Sequence, residues 1–250
     1  MSIKNILISQ PAPTTNSPYT EIISKYGVNI LFKPFFRVEP LSAKEFRTQK
    51  INILDFSAIV FTARTTIDAF FKLCEDLRIT VPETMKYFCI SEAIAVYLQK
   101  HIVYRKRKIF FGNGTVSSII DIIGSKHKDE TFLLATADNQ KTDLHKLFAK
   151  TKFKNESAAF IKTINSDLSS INLNDYQLIV FYSPSDIKSL LENFPDFVQN
   201  DIKFATFGPT TAKAMKAAKL NTFIMAPTPE APSIAKALIL YFDKEKANNK

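Results

Sequence analysis

Leu178-Ile179-Val180-Phe181-Tyr182-Ser183-Pro184-Ser185 is the stretch on which the fold turns. Four apolar residues in succession, without polar alternation, describe a short strand buried on both faces, the environment of a parallel sheet. The Ser-Pro-Ser that follows is helix-start chemistry. A serine hydroxyl accepts from the first helical amides, and proline fits the first turn. A helix-period segment over Ser185–Asn193 completes a βα unit. The same unit recurs along the chain. Strands are expected at Ile6–Ser9, Asn29–Phe36, Ala58–Thr62, Tyr87–Ile90, Ile109–Phe111, Thr131–Leu134, Ser157–Thr163, Gln177–Tyr182, Phe204–Phe207 and Thr222–Met225. Helices are expected between them, among them Pro18–Tyr26, Thr65–Arg78, Glu92–Lys100, Val116–Ile123, Lys141–Lys150, Thr210–Ala218 and Ala231–Asp243. Repeated βα alternation predicts an α/β protein with doubly wound, mainly parallel sheets.

So many strands are more easily built into two sheets of about five than into one. With 250 residues the chain accommodates two domains. No Gly/Ser linker separates them, since the chain has only five glycines. Two long extended segments, Asn29–Leu41 with Pro34 and Pro40, and Ser157–Asp167, are candidate crossovers. The pattern alone leaves open whether the domains follow one another or one is inserted into the other.

The composition narrows the functional classes. No apolar run approaches the roughly 18–20 residues that span a bilayer, and Met1–Ser9 reads as a first strand rather than a cleaved leader. Cys74 and Cys89 have no metal or redox spacing, and His101, His127 and His145 lie far apart. A reduced, cytoplasmic protein without metal or cofactor is expected. The net charge of +9 favours anionic partners. The densest basic run, Arg105–Lys108, reads as a solvated turn, and no nucleic-acid-binding motif accompanies it.

Ligands of doubly wound sheets bind at the carboxyl ends of the strands, where helix N-termini offer amides and a favourable dipole to anions. The turns at those ends nominate Thr62, Ala63, Arg64, Ser91, Gly112, Ser183, Ser185, Gly208, Thr210, Thr211 and Thr228 as binding residues. Taken singly, each Ser or Thr there is as well explained by helix capping. Gly112-Asn113-Gly114 lacks the spacing of a nucleotide loop. No nucleophile with a base and no paired carboxylates are apparent, so catalytic residues are unassigned.

The segment Phe181-Tyr182-Ser183-Pro184-Ser185 and the turn Phe207-Gly208-Pro209-Thr210-Thr211-Ala212 resemble motifs of the uroporphyrinogen-III synthase family. Pro227-Thr228-Pro229, Ser17-Pro18-Tyr19, Tyr26-Gly27 and Ile59-Val60-Phe61-Thr62 extend the resemblance over essentially the whole chain. It implies two α/β domains joined by a two-stranded connection. Domain one would hold residues 1–36 and 166–250, with a flavodoxin-like sheet, and domain two the inserted residues 37–165. It further implies a cofactor-free, cyclising lyase of heme biosynthesis acting on hydroxymethylbilane, which carries eight carboxylates on four pyrroles; a cleft between two mobile domains makes a monomer the simpler expectation. A non-catalytic binder of anionic ligands on the same scaffold is the alternative. Three positions depart from the family's pattern. Ala63 stands for the usual Ser, Ile94 for a frequent Thr, and Ile161 for a Tyr associated with departure of the hydroxyl. Ile161 is expected to line the cleft passively. Tyr19, Tyr104 and Tyr182 are the hydroxyls that could substitute.

Overall fold

The computed structural model describes residues 3–14, 17–103, 105, 107–137 and 143–248. The chain forms two compact units, one of Met1–Arg37 with Ile164–Lys250 and one of Val38–Thr163.

The first unit is built on a five-stranded parallel sheet. Its strands are β1 (Asn5–Ile8), β2 (Asn29–Phe32), β9 (Leu178–Phe181), β10 (Lys203–Phe207) and β11 (Ile224–Ala226), in the order β11-β10-β9-β1-β2. Helices α1 (Pro18–Tyr26), α7 (Pro184–Asn193), α8 (Pro209–Ala217) and α9 (Ile234–Asn248) connect them. All four residues of β9 are buried, as their unbroken apolar run requires. The alternate residues feed two separate cores. Leu178 and Val180 pack with α1 and α9 residues such as Ile22 and Leu238. Ile179 and Phe181 pack with α7 and α8 residues such as Leu190 and Met215. The order in which successive strands are added reverses between β1 and β9, the kind of switch point at which such sheets bind ligands.

The second unit has a six-stranded sheet in the order β3-β8-β7-β4-β5-β6. Its strands are β3 (Phe36–Pro40), β4 (Ala58–Phe61), β5 (Lys86–Cys89), β6 (Ile109–Phe111), β7 (Thr131–Ala137) and β8 (Lys154–Asn165). Its helices are α2 (Ala43–Arg47), α3 (Arg64–Leu77), α4 (Glu92–Leu98), α5 (Val116–Ile123) and α6 (Asp143–Phe148). Of the α3 apolar positions whose spacing predicts a sheet-facing stripe, Ile67, Phe70 and Cys74 are buried and Phe71 is partly buried against the same core.

The extended segment Asn29–Leu41 is two strands, not one. Pro34 has no amide for a ladder, and the chain leaves one sheet at Phe32 and enters the other at Phe36. The second extended segment is the long strand β8, neighbour of β3. The bonds Leu41 N to Phe160 O and Ser166 N to Phe35 O, both within 2.9 Å, make the pair an antiparallel ribbon. The chain passes between the units along these two strands. Helix α2, for which the pattern has no counterpart, starts on a capping box formed by Ser42 and Glu45.

One expectation about a side chain changes. Ile161 is a core residue, 8% exposed, at a register shift where Ala137 opposes it, and it clusters with Phe46 and Phe160. It is filler for this sheet rather than a wall open to ligand. Ile94 likewise belongs to that core. Tyr104 lies outside the described residues.

Candidate active site

The helix starts divide into two kinds. Several are closed by their own side chains. The Ser17 hydroxyl accepts from Tyr19 N in α1, Thr115 accepts from Ser118 N in α5, and Ser183 accepts from Asp186 N in α7. Three others have no side-chain cap: α3 behind Ala63, α4 behind Ser91 and α8 behind Gly208. The first amides of an α-helix have no intrahelical acceptor. At α3, α4 and α8 no side chain of the cap residue takes their place, and the positive end of the helix dipole carries no side-chain cap.

In the first unit the structure gathers Ser183, Ser185, Gly208, Thr210, Thr211 and Thr228 at the carboxyl ends of β9, β10 and β11. Gly208 has φ 85°, a backbone state that favours glycine, and its amide donates to Ala226 O at 2.7 Å. Thr210 is exposed. Thr211 is buried, and its hydroxyl donates to Tyr182 O at 3.1 Å, so it ties two turns together and can offer a ligand only its amide. Thr228 accepts from Ala231 N at 3.1 Å and closes its own turn.

Ser183 behaves differently from Thr210. Its amide is already occupied. Asp186, fully buried, accepts from Tyr182 N at 2.9 Å and Ser183 N at 2.8 Å through one oxygen. Pro184 has no N–H, which leaves Ser185 as the amide this turn can spare. An internal carboxylate thus sits where the substrate's was expected. The sequence does carry the signal for it, since Ser183-x-x-Asp186 is the capping-box spacing. Burial pushes the Asp186 carboxyl above its ordinary range, against the pull of those two amides. Its other oxygen lies near the Ser9 hydroxyl without completing a hydrogen bond, and both atoms are buried and unpartnered.

In the second unit Thr62, Ala63, Arg64, Ser91 and Gly112 lie at the carboxyl ends of β4, β5 and β6. Backbone bonds Ile90 N to Phe61 O, Gly112 N to Cys89 O and Gly114 N to Ile90 O, all 2.8–2.9 Å, lace these turns together. Arg64 is exposed, its guanidinium 5.2 Å from the centre of the Tyr97 ring. Ser91, Glu92, Ala93, Phe111, Gly112 and Asn113 border an open depression of about 640 Å³ beside the bare start of α4. A second cavity, of about 590 Å³, lies at the amino ends of β9 and β10 around Asn172, Asn193 and Phe197, away from these turns.

Gly112 is required by packing. A Cβ there would stand 2.1 Å from Ser118 Oγ and 3.0 Å from Ile90 O. Ser118 Oγ cannot simply swing away, because it accepts from Asn113 N and donates to Thr115 O. Gly112→Ala is expected to cost about 2 kcal/mol by overpacking, measured as a lower urea midpoint with unchanged slope. Ala63→Ser is expected to do the opposite. A serine at this extended N-cap position would accept from the α3 amides and add about 1 kcal/mol of stability, readable as a higher Tm.

A family model described as uroporphyrinogen-III synthase matches residues 17–236, and so spans both units and both groups of turns. The chain belongs to the uroporphyrinogen-III synthase family. It is a lyase of tetrapyrrole biosynthesis. The uroporphyrinogen-III synthase of Schizosaccharomyces pombe is 21% identical over 266 residues, covering 98% of this chain and 100% of that one. Crystal structures of a mutant uroporphyrinogen III synthase from Thermus thermophilus and of the Helicobacter pylori enzyme share the fold. Their TM-scores are 0.59 and 0.58, at 12% and 17% identity, over at least 97% of each chain. Among the described residues no cluster of His, Cys, Asp and Glu could hold a metal, and no helix is long and apolar enough to cross a membrane.

Proposed function

We infer that this synthase binds the carboxylates of hydroxymethylbilane with backbone amides at the starts of α3, α4 and α8, and that binding in a closing shape is the main part of its catalysis. The observation that carries this reading is the selective absence of side-chain caps at those three helices, while α1, α2, α5 and α7 have theirs. Residues 1–36 with 166–250 would act as one binding domain and the inserted residues 37–165 as the other, with one chain carrying the full set of turns.

The reaction expels water from the hydroxymethyl end, inverts the last pyrrole through a spiro intermediate and closes the macrocycle. The pyrrole nitrogen pushes the hydroxyl out, so no strong nucleophile is required of the protein. What the protein must supply is orientation of the last ring, and holding reacting groups together supplies several kcal/mol. Amides fixed by helices and interlocked turns are donors whose reorganisation cost is already met by folding. The excess of positive charge raises the local concentration of the polyanionic substrate.

Incubation with freshly prepared hydroxymethylbilane, followed by separation of the product isomers, tests the reading. The type III isomer is expected. Formation of the spontaneous type I isomer alone would overturn it.

A further inference from the structure

Four aromatic rings line the carboxyl edge of the first unit's sheet in the order of its strands. Phe207 ends β10, Tyr182 follows β9, Tyr19 lies in the first turn of α1 after β1, and Phe32 ends β2. Tyr182 and Phe207 are tilted with centroids 5.7 Å apart, and Tyr19 meets Phe32 edge-on at 5.4 Å. The Tyr19 and Tyr182 hydroxyl oxygens are 2.6 Å apart. All four rings pack on the core beneath and remain half-buried, with part of each surface open.

We propose that this row is a pyrrole-binding ledge, with Phe207 and Tyr182 stacking a substrate ring whose carboxylate reaches the Thr210 and Thr211 amides, and with the Tyr19–Tyr182 pair donating one hydrogen bond to a substrate oxygen. The inference rests on the reading of function above. Three features support it. A pair of hydroxyls sharing one hydrogen bond uses one of its two protons, and the other is free to donate. The bare start of α8 follows Phe207 directly, and Thr211 is bonded to the Tyr182 carbonyl, so an apolar face and an anion site are fixed side by side. Flat electron-rich rings stack on aromatic side chains with a gain beyond buried area. Burial raises the Tyr19 hydroxyl far above its ordinary range and raises Tyr182 as well, which keeps both protonated as donors at any working pH.

The test is steady-state kinetics on hydroxymethylbilane with Tyr19→Phe/Tyr182→Phe, which keeps both rings and deletes both hydroxyls, and with Phe207→Leu, which narrows the ledge. Each is expected to raise KM about tenfold with kcat changed less than threefold, at pH 7 and pH 8.5 alike. Tyr176→Phe, in the same unit but outside the row, is the control and should match the wild type. Unchanged KM in the two ledge variants would overturn the inference, including where Tm falls, since that pattern marks a purely structural role. Should the double variant not fold, Tyr182→Phe and Phe207→Leu decide by the same KM criterion. Variants indistinguishable from an active wild type remove the ledge alone. A wild type that yields only type I isomer removes the functional reading and the ledge with it.

Discussion

Thr210→Pro is expected to lower kcat/KM for hydroxymethylbilane by ten- to a hundredfold, while Thr210→Ala changes it less than about threefold. The two substitutions separate the backbone from the side chain. Proline in the first turn deletes one N–H that has no intrahelical partner and breaks no helical hydrogen bond. Alanine deletes the exposed hydroxyl and keeps the amide. A hydrogen bond to a charged group is worth about 1.5–3 kcal/mol, and about 1.4 kcal/mol corresponds to a factor of ten. Thermal unfolding of both variants keeps loss of fold apart from loss of binding. Equal kinetics for the two would show that the α8 amide does not meet substrate, and a large effect of alanine would place the binding on the hydroxyl.

Asp186→Ala is expected to be the more damaging change to stability, at about 2–4 kcal/mol, because it strands the Tyr182 and Ser183 amides in a partly buried turn. Asp186→Asn should cost far less or nothing. Its oxygen can still accept from both amides, and its new N–H₂ can donate to the unpartnered Ser9 hydroxyl. The pH dependence follows from the raised carboxyl. The ordinary value is 3.8, and the folded protein holds its proton to higher pH than the unfolded chain does. Stability from this group is therefore present at acid pH and is lost as pH rises through the folded value. Denaturant titrations from acid to neutral pH should show the wild type losing ground to Asp186→Asn as pH rises. A gap that is constant with pH would mean that Asp186 does not titrate abnormally.

The βα repeat was legible because a doubly buried strand must be apolar without interruption. Leu178–Phe181 and Ala58–Phe61 are buried throughout. Helix edges were legible where capping chemistry is local, as at Ser17-Pro18 and Ser183-Pro184. The role of Asn29–Leu41 as a crossover was legible from its length and its prolines, but the break of the expected strand Asn29–Phe36 into β2 and β3 was not, because Pro34 sits inside one continuous extended pattern. The short helix α2 was missed because five residues leave no periodicity to count.

For the site, residue types at strand ends determined the candidates, and with them the expectation of anion binding at turns after β4, β5, β6, β9, β10 and β11. Tertiary structure alone decided which of them have their amides and hydroxyls already engaged inside the protein. Whether a first-turn amide is spent or free depends on where a side chain three residues away folds back, as Asp186 does on Ser183 and as no side chain among the described residues does at the start of α8. Whether a residue faces ligand or core depends on register, and a shift opposite Ala137 put Ile161 in the core. The meeting of Tyr19 and Tyr182, 163 residues apart, depends on β1 and β9 lying side by side. Local sequence sets what a turn can offer. Long-range pairing sets what remains unspent, because a hydrogen bond made inside the protein is one fewer for the substrate.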